Sequence, residues 1–372
     1  MRPLVALALV PLAIGCKRPP PSDDAAAGAP SALAWSAGSQ APAPAPSVRA
    51  VTSSPEGTPP APRAKLPEGR PLHADTTEEL LALFSVRPFT EREIKMRGAP
   101  SLFLEKNFGT TGPNRINQGN KALAEHAISR EACLAALADT ALYTAEDEAL
   151  CGAPMMKPIP GKKGHRPRAC IDVFEFPNQP CELPFVWTAP TQAGAVCELV
   201  GKRLCNQDEW TSACRADPGG GKDSVYAYGD ELDLTICNTN QSAAKEGPQG
   251  KCDPDSARTA WGTCGTNTEP SGAFPRCTSR SGVYDLHGNV AEIMVRFDPD
   301  EGRVSQLKGS AFFYVDVARK HDERPKKDDK RETYPDHCAY DPRWHVEPMS
   351  NAWHVNYHLG FRCCKDATRG GR

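Results

Sequence analysis

The sequence predicts an irregular mixed α/β (α+β) domain, low in regular secondary structure and held by several disulfides, behind an exported leader and an unstructured tether. Three observations predict it. Fourteen of the fifteen cysteines lie after residue 130, whereas much of the proline lies before residue 72. The apolar fraction is 39%, below the roughly 45–50% of a globular chain. From about residue 151 onward, long periodic segments are scarce while Gly, Pro, Trp, Tyr and Cys are frequent. The net charge of −2 gives no global attraction to nucleic acid or to an anionic membrane surface. No apolar run after residue 15 approaches the roughly 20 residues of a membrane-spanning helix.

Residues 1–16 read as a leader: Arg2 is a one-charge start, Leu4 to Ile14 is a short apolar stretch, and small residues precede Cys16. Ala13-Ile14-Gly15-Cys16 resembles a bacterial lipobox, with Leu12 one place early, and an ordinary signal peptide cut nearby is the alternative. In lipoproteins of this kind a Lys after the cysteine, as at Lys17, does not retain the protein in an inner membrane. The expectation is an exported chain, lipid-anchored to the cell envelope at the outer membrane. Residues 17–75, rich in Pro, Ala, Ser and Gly, hold too few large apolar groups to offset the entropy of ordering and read as a disordered tether. A Pro-rich docking ligand is the other reading.

From Thr76 the composition changes. Thr76 with Glu79 forms a capping pattern before Leu80, Leu81, Leu83 and Phe84, and Ser129 opens a similar stretch ending at Leu137. Residues 76–150 therefore read as a short helical lead-in. Its only nearby histidines are His73 and His126, too few for a multi-histidine metal site. The main domain is expected over 151–366, followed by a disordered tail, 367–372. Within it Thr191 to Val200 reads as a helix stopped by Gly201, and Asn206 caps a second helix through Glu209 and Trp210. Strands are expected at 169–174, 282–286, 292–297, 304–309 and 359–363.

Six motifs then occur in order across about 210 residues. Met156-Lys157-Pro158-Ile159-Pro160-Gly161 is followed by Cys170-Ile171-Asp172-Val173-Phe174-Glu175-Phe176-Pro177-Asn178. Next come Gly201-Lys202-Arg203-Leu204-Cys205 with Glu209-Trp210, and Tyr226-Ala227-Tyr228-Gly229. The last three are Ser281-Gly282-Val283-Tyr284-Asp285-Leu286-His287-Gly288-Asn289-Val290-Ala291-Glu292, then Leu307-Lys308-Gly309-Ser310, then Leu359-Gly360-Phe361-Arg362-Cys363. Together they resemble the sulfatase-modifying-factor domain of the formylglycine-generating enzymes, whose fold is of the C-type-lectin kind.

The resemblance implies a calcium ion on the loop from Asp285 to Glu292, held by the Asp285 and Glu292 side chains and the carbonyls of Gly288 and Val290. Such hard oxygens suit Ca²⁺, and an empty hydrogen-bonded loop is the alternative. A second calcium site would begin at Asn238 and the carbonyl of Thr239, with its later acid lost in an insertion that carries Asp253 and Asp255. The two family cysteines that bind copper fall at Phe313 and Ala318, and no cysteine lies between Cys277 and Cys338. Without a thiolate pair there is no soft site for Cu(I), and copper is not expected. The Trp of the family's NVWEW is Ala291, and the Asn before the closing motif is His358. The resemblance also implies disulfides Cys197–Cys363 and Cys214–Cys338; the other ten cysteines could form five more, whose pairing the sequence does not fix. Adjacent Cys363 and Cys364 point to opposite sides of an extended segment and should have different partners.

Arg362 could anchor a loop or a substrate carboxylate, with the loop favoured. His354 and His358 are four apart, but their segment has no helical support for a metal site. The mixed-charge run from Arg319 to Arg331 reads as a solvated loop or a remodelled binding face. The expected function is a binding module for a protein, peptide or glycan at the envelope, with Ser310, Phe312, Phe313, His358 and Arg362 lining the reused groove. The alternative is an active protein-modifying oxidase of the formylglycine-generating type with a rearranged metal site.

Overall fold

A computed structural model describes residues 70–161, 165–240, 252–313, 337–341 and 346–368. The chain divides into two units: Met1–Pro55, which lies outside the described residues, and Glu56–Arg372, to which all described residues belong. Cys16, Ala318, His321, His345 and the run 319–331 also lie outside them.

Five short helices come first: α1 Thr77–Leu81, α2 Glu91–Arg97, α3 Pro100–Asn107, α4 Arg130–Ala136 and α5 Ala145–Cys151. Reciprocal capping boxes start α1 (Thr76 with Glu79), α2 (Thr90 with Glu93) and α5 (Thr144 with Asp147), each satisfying backbone donors that a helix start leaves free. The folded part begins before Thr76, which shortens the tether expected over 17–75. Arg130 pairs with the buried Glu182 and also donates to the carbonyls of Arg70 and Pro71, while Arg70 itself pairs with Glu182. At the other end, the N–H groups of Ala367 and Thr368 donate to Arg168 and Leu150, so the expected tail starts later than 367.

Two small sheets follow. β1 (Met156–Pro158), β2 (Ala169–Asp172), β7 (Cys363–Asp366) and β3 (Arg203–Leu204) form an antiparallel sheet in that order. The second sheet has the order β5 (Gly302–Lys308), β4 (Ala291–Asp298), β6 (Leu359–Phe361), with β4 antiparallel to β5 and parallel to β6. Helices α6 (Pro190–Leu199), α7 (Gln207–Arg215) and α8 (Ala257–Thr263) complete the elements. Phe108, Phe176, Phe185 and Phe361 pack with Leu80 of α1 in the largest core cluster, so the lead-in helices share the core of the main domain. Residues 282–286 do not form the expected strand. Gly282, Asp285, Gly288 and Asn289 all take positive φ, which bends this segment into a loop with one bridge, Thr278 to Tyr284.

All fourteen cysteines after residue 130 are paired: 133–181, 151–170, 197–363, 205–364, 214–338, 237–277 and 252–264. Neighbours Cys363 and Cys364 bond to Cys197 and Cys205, on opposite faces of β7 as strand alternation requires.

Candidate functional site

The loop from Val283 to Val290 leads into β4, and the parallel partner β6 sets Arg362 beside the first turn of that strand. Register pairs Ala291 with Leu359 and Glu292 with Gly360. Arg362 is fully buried and grips Glu292 with two bonds, Nη2 to Oε1 at 2.5 Å and Nε to Oε2 at 2.7 Å. Trp210 of α7 donates its indole N–H to Glu292 Oε2 at 2.9 Å. The remaining Arg362 donors reach the carbonyls of Asp172 at 3.1 Å and Tyr284 at 2.9 Å. Arg362 therefore anchors the loop and is not open to a substrate carboxylate.

Glu175 closes the same loop from the opposite side. It accepts the Val290 N–H at 3.1 Å and the Asn289 amide at 2.8 Å. Asp285 accepts the Gly272 N–H at 2.6 Å. Three buried carboxylates thus surround one guanidinium. Burial first, then the charges of Asp285 and Glu292, hold the Glu175 carboxyl well above the usual carboxylate range. Burial likewise pushes Asp285 up to about 7, against the Gly272 hydrogen bond and Arg362, which lower it. Gly288 is required here: a Cβ on it would lie 2.2 Å from the Asn238 carbonyl oxygen, and its φ is +75°.

These residues do not fit a calcium ion as the resemblance implied. Both oxygens of Glu292 are engaged by Arg362 and Trp210, so the positive charge that a cation would bring is already supplied by a side chain. The second set, Asn238 and Thr239, lies on the other side of Gly288. Asn238 donates its amide to Asn289 Oδ1 at 3.0 Å and to the Asn267 carbonyl at 3.3 Å, which leaves its Oδ1 buried without a partner among the described residues. Thr268, next to Asn267, also has a buried hydroxyl with no such partner. Asn238 Oδ1, the carbonyl of Thr239 and Thr268 Oγ1 are the hard donors that calcium takes.

The expected groove is only partly a surface. Ser310 is buried and accepts the Gly288 N–H at 2.9 Å, and Phe312 is buried against Val186, Trp187 and Val290. With Arg362 also inside, only Phe313 and His358 of the five proposed residues reach solvent, and each is half-buried. Phe313, where a family cysteine would stand, packs edge-on against His358 with ring centroids 4.8 Å apart and also meets Tyr357 at 5.7 Å. Trp353, which the sequence reading passed over, stands 66% exposed on the same segment. His354 and His358 share no helix, since 351–360 forms none.

A family model described as the sulfatase-modifying factor enzyme 1-like domain matches residues 122–367. The chain belongs to this family. Its domain has the C-type-lectin-like fold, with low regular secondary structure and several disulfides. Among curated proteins it is similar to the inactive C-alpha-formylglycine-generating enzyme 2 of Mus musculus, 31% identical over 138 residues, or 37% of this chain and 39% of that one. The protein of the same name from Bos taurus is 33% identical over 111 residues, 30% of this chain and 32% of that one. The matches thus span about a third of the length of these relatives. A solved structure, "Crystal Structure of CarF", overlaps 44% of this chain and 46% of that chain at 17% identity and a TM-score of 0.24, which is too low to bear on fold or function.

Proposed function

We propose that the protein is a non-catalytic member of its family that binds a protein, peptide or glycan partner at the cell envelope. The lipid on Cys16 would anchor it and the Pro-rich segment would hold the domain away from the membrane. The observation that carries the reading is the cysteine inventory. Every cysteine from Cys133 to Cys364 is bridged, so none of them offers a thiolate pair to take copper. Phe313 supplies an aromatic ring where the chemistry of the family places a sulfur donor. The word "inactive" in the names of the two relatives supports the same conclusion. A rearranged oxidase would need a free thiol or another redox centre in place of the pair.

The binding face in this reading comprises Phe313, His358 and Trp353, backed by the buried Tyr357 ring, aromatic groups of the kind that dominate binding energy at interfaces. Calcium, in this reading, sits at Asn238, Thr239 and Thr268 and stiffens the segment behind that face. The full chain is to be probed with peptide and glycan arrays. Binders that lose at least about tenfold in affinity with Trp353→Ala or His358→Ala, at unchanged melting temperature, support the assignment. Binders indifferent to both substitutions, or arrays without binders, contradict it.

A further inference from the structure

His73 and His126 take no part in the surface described above. They are 53 residues apart in sequence, yet their Nε2 atoms lie 2.8 Å apart and their ring centroids 4.9 Å. His73 precedes α1 and is only 7% exposed, while His126 lies on the loop before α4. These are the two histidines that the sequence places near the lead-in, and the fold brings them together. A cavity of ≈ 580 Å³ adjoins His73, lined also by Asp75, Thr110, Asn120, Lys121 and Trp261.

The hydrogen bonding fixes one tautomer. His126 Nδ1 lies against the carbonyl oxygen of Thr268, which can only accept, so Nδ1 carries the proton and Nε2 presents a lone pair. That lone pair points at His73 Nε2.

We propose that His73 and His126 form a site for one divalent transition-metal ion of the zinc or copper class, open to the adjoining cavity. Imidazole nitrogen suits these ions. A metal-binding histidine characteristically donates its other N–H to a carbonyl or carboxylate, as His126 does to Thr268. Two Zn–N bonds of about 2.05 Å at a tetrahedral angle place their nitrogens about 3.3 Å apart. The pair therefore needs to open by about half an ångström from 2.8 Å, and each ring needs to turn by about 35° so that both lone pairs meet the ion. Binding also requires the proton of His73 to shift from Nε2 to Nδ1, with no net proton released. Burial, then the charges of His126 and Lys121, lowers His73 to about 3, and burial also lowers His126. Water from the adjoining cavity completes the coordination, while Asp75, paired with Lys121, lines the same cavity and adds negative charge near His73.

The test uses the full chain, stripped with chelator, with Zn(II) alone followed by calorimetry and Cu(II) alone by electron paramagnetic resonance. The expected result is one Zn(II) bound in the micromolar range or tighter, and a Cu(II) spectrum split by two nitrogens. His73→Gln and His126→Gln should each weaken Zn(II) at least about 100-fold, Asp75→Asn should weaken it less, and His354→Gln should leave it unchanged. Absence of saturable binding, which would mean a purely structural histidine pair, overturns the proposal. So does binding that survives His73→Gln. If the variants fail to fold, the ¹⁵N resonance of His126 Nε2 in the wild-type chain decides: it must move on adding Zn(II), and a fixed resonance overturns the site.

Discussion

Arg362 holds the loop before β4 by spending every one of its bonds inside the protein, on Glu292 and on carbonyls of Asp172 and Tyr284. A buried pair of this kind is costly to break, because the surviving charge has nowhere to go. Arg362→Met should destabilise the chain by about 3–5 kcal/mol in urea unfolding, and Arg362→Lys by less, since a lysine keeps the charge but not the two-pronged grip. Glu292→Gln, which keeps the shape but removes the charge opposite the guanidinium, should fall in the same range. Asp285 contributes with the opposite sign. Its carboxyl sits near 7 in the folded protein, principally through burial, and near 4 when unfolded. The folded state therefore binds the proton more tightly, and stability falls as pH rises from about 4 to 7. Asp285→Asn keeps an acceptor for the Gly272 N–H and should flatten that slope, leaving the variant more stable than wild type at pH 8. An unchanged slope would place the titration elsewhere.

Lys308, the last residue of β5, works at the level of elements. Its buried ammonium donates to the carbonyls of Cys338 at 3.0 Å and Tyr340 at 2.7 Å and to Asp341 at 2.9 Å, over the Trp210 ring. It ties residues 337–341 to the second sheet. Lys308→Met should leave two carbonyls unsatisfied, costing about 1–3 kcal/mol, and hydrogen exchange should show faster amide exchange at 337–341. What local sequence could reveal follows the same scale. The caps at Asn206 and Thr76 were legible because a cap and the acids that follow it lie within three residues, and the structure closes both into capping boxes. Helix α2 was missed because it buries no residue and so shows no apolar stripe, although its Thr90–Glu93 box was there to read. Strands β1 and β3 were invisible, since two or three residues become strand only by pairing with β2 and β7. At the site, Asp285, Glu292 and Arg362 stand in motifs, but the engagement of Glu292 by Arg362 joins residues 70 apart and no spacing encodes it. Glu175 and the His73–His126 contact were hidden for the same reason.

Seven disulfides set the character of the whole molecule. The 197–363 bridge alone closes a separation of 166 residues, which in the chain-entropy model stabilises the fold by about 5 kcal/mol, less any strain. In a Cys16→Ser chain denatured without reductant, no thiol should react, and reduction should expose fourteen; a reactive pair before reduction would reopen the case for a sulfur-based centre. The account's central claim is that this family member lacks the oxidase chemistry. The most direct measurement incubates the oxidised full chain with Cu(I) and a Cys-x-Pro-x-Arg peptide, beside a competent formylglycine-generating enzyme, and follows the peptide by mass spectrometry. The account predicts an unaltered thiol in every sample but the positive control. An aldehyde formed above the level without protein would contradict it.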